Sequence, residues 1–131
     1  MLTNAVLQKL TLTKAIQDSV QTIESEIKAG QKVAVFNFIS ESRGLSEHII
    51  SVIMNIITND KKLLMVERYR IDAILAERGI QLAGEVNDKE IASIGNFSGA
   101  QYVITGSLTF VGSSYWFNII FRSCLFDRFD L

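Results

Sequence analysis

Apolar residues recur along the chain in two rhythms, and the alternation between them lays out the domain. Leu12, Ile16, Val20, Ile23 and Ile27 step by four, four, three and four residues. That spacing stacks them on one side of an amphipathic helix from about Leu12 to Ala29, with Gly30 where a helix-terminating glycine belongs. KVAVFNF (Lys32–Phe38) is β-branched, aromatic and apolar on both sides, the pattern of a central strand covered on two faces. The polar ISESRGLSE stretch offers Ser42 or Ser46 as a cap, and a second helix from Leu45 to Thr58 carries Leu45, Ile49, Val52, Ile53, Ile56 and Ile57. Asn59-Asp60 is expected to end it.

LLMVER (Leu63–Arg68) reads as the next strand, and strand–helix–strand spacing of this kind predicts a parallel pair with a right-handed crossover. Arg70–Gly79 is a short helix presenting Ile71, Ile74 and Leu75, and IQLAGE is a connector. Asn87 and Glu90 stand at the spacing of a capping box before a helix carrying Ile91, Ile94 and Phe97. Then the rhythm shortens to two. Tyr102, Ile104, Leu108 and Phe110 alternate, as do Tyr115, Phe117, Ile119 and Phe121, around Gly112-Ser113-Ser114: an antiparallel hairpin. The predicted fold is α/β (α+β), in the order α-β-α-β-α-α-β-β, with a mixed sheet of about four strands and helices packed on it. Val35, Ile53, Ile74, Ile94, Ile104 and Phe117 are the expected core.

At 131 residues with no proline, no repeat and no linker composition, the chain is one domain of ordinary globular make-up, 48% apolar and 21% charged. Its boundaries are drawn as an N-terminal extension (1–11), a single domain (12–121) and a tail (122–131). Thirteen basic and fourteen acidic residues leave a net charge of −1, so there is no excess to neutralise a nucleic-acid backbone. No apolar run reaches the length of a membrane span, about 18 residues. The N-terminus shows no uninterrupted apolar stretch with a small-residue cleavage site, so no signal peptide is expected in it.

Candidate chemistry is sparse. His48 lies in the second helix with no nucleophile near it in sequence, and reads as a partly exposed helical side chain. Gly95, Gly99 and Gly106 lack the strand–glycine loop–helix context of a phosphate cradle; Gly106 instead predicts a bulge or a close backbone approach. The pairs Glu24/Glu26 and Asp72/Glu77 are spaced by two and five residues, share no helical face cleanly and are expected to be solvated. The lone Cys124 has no partner for a disulfide, no metal-ligand spacing and no activating context. Arg68-Tyr69-Arg70 is the one cationic–aromatic cluster, placed at a strand-to-helix turn where α/β sheets often carry ligands. Two readings of it stand: a partner or ligand contact, or an Arg68 that anchors the turn through carbonyls or a carboxylate. No metal, cofactor or catalytic residue is expected.

The segments KVAVFNF, LSEHII, LLMVERYRIDAIL and QLAGEVNDKEIASIGNFSGAQYVITGSLTFVGSSYWFNI, taken in that order, resemble one family pattern over roughly residues 10 to 119. It is the domain shared by the curli secretion component CsgG and the penicillin-binding-protein activator lipoprotein LpoB, in its spirochaete form. The resemblance implies a mixed α/β sheet without cofactor or catalytic residues, working by contact in the periplasm or at the outer membrane. Its implied partners are other envelope proteins, a peptidoglycan synthase among them, or further copies of itself. The pore-building segments of the secretion branch have no counterpart here. IFRSCLFDRFDL departs from the aspartate-containing strand with which the family continues, and a missing final strand predicts an unpaired sheet edge and self-association. The leading expectation is a non-enzymatic envelope interaction module. The alternatives are a small-ligand-binding domain using the strand ends near Arg68 and Tyr69, and a fragment of a secretion assembly subunit.

Overall fold

A computed structural model of the chain describes residues 4–79 and 87–124, with side chains from Leu12 onward. The connector at residues 80–85 and Leu125, Phe126 and Phe129 of the tail lie outside it. The elements follow the predicted order: α1 (Asn4–Glu26), β1 (Lys32–Ile39), α2 (Arg43–Asp60), β2 (Leu64–Met65), α3 (Arg68–Arg78), α4 (Asp88–Ser98), β3 (Tyr102–Val111) and β4 (Ser114–Ser123). They build one sheet in the order β2-β1-β3-β4. β1 is parallel to both β2 and β3, while β3 and β4 form the antiparallel hairpin.

The two faces of the sheet carry separate cores, which explains why β1 is apolar on both sides. On one face α1 contributes Ile16, Val20 and Ile23, continued by Ile27 just past its end, and α2 contributes Ile49, Ile53 and Ile57, all against Val33, Val35, Ile104 and Leu108. On the other, Ile71 and Leu75 of α3 and Ile91 and Ile94 of α4 close over Ala34, Phe36 and Val103, with Cys124 beside them. Local chemistry sets the helix ends. Ser42, not Ser46, caps α2, its side chain accepting from the Leu45 amide. Ser46 shares a hydrogen bond with Ser40 instead, oxygen to oxygen 2.6 Å. The capping box at Asn87 and Glu90 is present in both directions.

β1 does not run regularly. Its register against β3 shifts between Val35 and Asn37, so Phe36 is an extra residue that turns into the α3/α4 core. Beyond the shift Phe38 lies opposite Gly106 and stacks on Phe117, ring centres 5.4 Å apart. A Cβ on Gly106 would overlap the Phe38 ring and the Asn118 carbonyl, which is the close approach the sequence pointed to.

Several expectations need correcting. The strand expected over Leu63–Arg68 pairs only at Leu64 and Met65, because Leu63 and Val66 turn inward and Arg68 already opens α3. α1 begins eight residues before Leu12 and ends at Glu26, and Gly30 serves the following turn, its amide bonded to the Lys62 carbonyl. Asn59 and Asp60 stay helical; Lys61 ends α2 in the left-handed conformation. Phe97 is 47% exposed and carries the Arg78 guanidinium over its ring, 4.5 Å from the ring centre. Phe117 is only half-buried, because β4 is an edge strand. Glu24, expected in solvent, is buried.

Candidate functional site

The carboxyl end of β1 opens into a cleft of about 1220 Å³ between α2 and the start of α3. Strand ends leave such openings where the chain departs to opposite sides of a sheet. Here β1 leaves through Ser40–Ser42 into α2, while β2 leaves through Glu67 into α3. The floor is apolar, with Phe38, Ile50, Met54 and Leu75, and the rim is charged, with Arg43, Glu47 and Asp72. Arg43 and Glu47 form an exposed pair one turn apart at 3.3 Å. With Glu41 the lining carries both signs of charge, three carboxylates beside Arg43 and Arg68, around the apolar floor.

Arg68 forms the inner wall, and its guanidinium is committed to structure. Nη1 donates to the Val35 carbonyl at 2.6 Å and to the Phe36 carbonyl at 2.9 Å, the two residues where the register shifts. Nε lies 3.6 Å from the Asp72 carboxylate, one turn along α3. Burial lowers the guanidinium pKa from its ordinary value, opposed by the charges of Asp72 and Glu47. A bulge frees carbonyls from the ladder, and a partly buried arginine has enough fixed donors to satisfy two of them at once. The other members of the cluster point elsewhere. Tyr69 is 70% exposed, and Arg70 donates to the Phe97 carbonyl at 3.1 Å, tying α3 to α4. Of the three residues singled out in the sequence, only Arg68 lines the cleft.

Of the cleft's other residues, Asp72 was weighed in the sequence only as one of a solvated pair and Ser42 and Ser46 only as caps; the polar run from Ser40 to Glu47 after an apolar strand was the available signal. Among the described residues, no three His, Cys, Asp or Glu side chains group to hold a metal. His48 is exposed on α2 away from the cleft lining. Cys124 is a buried free thiol whose pKa burial pushes up to about 11, and it packs where Gly95 leaves room. A thiol so protonated is a poor nucleophile. No helix among the described residues is long and apolar enough to cross a membrane.

The fold has solved counterparts. The LpoB C-terminal domain from Escherichia coli superposes with a TM-score of 0.69 at 15% identity, over 86% of this chain and 87% of that one. The same domain from Salmonella enterica gives 0.60 at 15% identity, over 82% and 95%. Against the longer E. coli LpoB solved by NMR the TM-score is 0.69, and this chain spans 58% of that protein. None of the curated proteins compared by sequence matches. The family described as the curli production assembly/transport component CsgG matches residues 4–115, nearly the whole described fold, and the chain belongs to that family.

Proposed function

We propose that this domain is a non-catalytic interaction module of a bacterial envelope, receiving a partner protein in the cleft at the end of β1. The observation that carries the reading is the cleft's make-up: an apolar floor with a rim of paired, opposite charges. An apolar centre with a polar margin suits a protein contact and supports this reading. The family supports the setting, since CsgG is a curli assembly and transport component. Resemblance to the activator lipoproteins supports a peptidoglycan synthase as the class of partner, in the periplasm or at the inner side of the outer membrane. Arg68, Tyr69 and Arg70 enter as neighbours of that contact, with Arg68 holding the wall in place. No reaction is assigned to the domain.

The test is a titration of the purified chain against the bifunctional peptidoglycan synthase of the same organism, with binding and glycan polymerisation both read. Ile39→Asp and Arg43→Glu, at the cleft mouth, are expected to weaken binding by about tenfold or more, while Lys14→Glu on the far side of α1 leaves it unchanged. Saturable binding that ignores both cleft variants would move the contact elsewhere. No binding at all would remove the synthase as partner.

A further inference from the structure

We propose that Glu24 of α1 and Asp60 of α2 form a proton-operated latch, which holds the end of α1 against α2 in acid and releases it at neutral pH. Glu24 is buried in the last turn of α1, and its Oε2 has no hydrogen-bond partner among the described residues. The group it does bond is a second carboxyl. Its side chain shares a hydrogen bond with that of Asp60, the last residue of α2. Ionised carboxylates only accept, so this bond exists only while one of the two carries a proton. The contact between the two helix ends is therefore tied to a protonation state.

The surrounding charges favour a switch over a fixed ion pair. Lys62, in the turn after α2, is the cation that acts on Glu24, yet its ammonium donates to the Glu24 backbone carbonyl and not to the carboxylate. The Lys62 carbonyl accepts from the Gly30 amide at 2.8 Å, so this lysine grips the bend that follows α1 from both sides. Glu26 and Lys28, the charged neighbours along the chain, are exposed. Burial first, then Asp60, raises the Glu24 carboxyl from 4.5 to about 7 against the pull of Lys62. The folded value lies above the unfolded one, so the closed form has its full advantage below pH 4.5 and loses it as pH rises to about 7. Over that window the balance between a closed and an opened end moves by a factor of about 300. Helix ends are where local opening costs least. Opening uncovers Ile23 and Ile27, 4% and 2% exposed in the closed form. Neither Glu24 nor Asp60 lines the cleft, so the latch is independent of the contact proposed there.

Hydrogen exchange of the full-length chain tests the latch, read by mass spectrometry from about pH 5 to about pH 8 and corrected for intrinsic exchange rates. Amides of residues 20–27 are expected to lose protection by about tenfold to a few hundredfold over that range, while β1 and β3 keep theirs. Glu24→Gln keeps the shape, cannot ionise, and is expected to hold the end of α1 closed throughout. Asp60→Asn alters an exposed residue and supplies an amide that donates to the ionised carboxylate, so it too is expected to stay closed at about pH 8. Circular dichroism checks that both variants are folded. Protection at the end of α1 that ignores pH in the unaltered chain overturns the latch. So does a loss spread evenly over all the elements, or opening that persists unchanged in the folded variants.

Discussion

Glu24 sits near the end of α1, only 6% exposed, with one carboxylate oxygen lacking any hydrogen-bond partner among the described residues. Burial first, then a hydrogen bond and the charge of Asp60 on α2, push its carboxyl up to about 7; Lys62, whose ammonium donates to the Glu24 carbonyl, pulls the other way. Between pH 4.5 and about 7 the folded chain therefore holds a proton that the unfolded chain has released. Stability falls as pH rises through that window and levels off above it. Glu24→Gln keeps the shape and removes the ionisation. It is expected to flatten this slope and to stabilise the fold by roughly 2 kcal/mol above the window, read from urea melts at several pH values. An unchanged slope would place the titration elsewhere. Spacing alone could not have found this residue. Ile23 and Ile27 define the buried stripe, and Glu24 lies beside it; only the packing of α1 on α2 decides that it is enclosed.

At the scale of elements, the irregularity of β1 organises everything around the cleft. Phe36 turns into one core, Phe38 into the other, and Arg68 crosses from α3 to hold the carbonyls between them. The arrangement closes only because Gly106 lets the Phe38 ring lie flat on β3. Gly106→Ala is expected to cost about 1–3 kcal/mol in a denaturant melt, since the overlap is with a packed ring and a backbone carbonyl that have no free space to enter. A neutral result would show that β3 and β4 separate locally at low cost. Periodicity made the helices, the hairpin and both caps legible, because those depend on residues three or four positions apart. It missed the bulge, which no glycine or proline announces at Phe36, and it overextended β2, where the ladder to β1 ends with the Val66 amide on the Val33 carbonyl and Leu63 and Val66 are apolar because both side chains are buried. Arg68 was legible as an anchor; the two carbonyls it would anchor, more than thirty residues upstream, were not.

Taken whole, the molecule is three layers, with helices on both sides of a sheet whose strands differ in what they connect. Ile53 of α2 and Ile104 of β3 are both fully buried in the α1/α2 core. Truncating either to alanine is expected to cost about 2–5 kcal/mol in denaturant melts, the larger figure where the rigid sheet cannot collapse into the void. A loss under about 0.5 kcal/mol at both positions would mean that this layer is not packed as described. The hairpin differs from the rest in being local: β3 and β4 are joined by Gly112 and Ser113 alone. The parallel β1–β3 ladder, by contrast, joins Val33 to Tyr102. That contrast has a kinetic consequence. Local hairpins form in about 1–10 μs, whereas strands far apart in sequence must first close a long loop. The aromatic hairpin is thus expected to exist during folding before α1 and β1 arrive to cover it. For that interval its face and both its edges are open to any neighbour, so the yield of folded protein should fall as refolding is carried out at higher chain concentration.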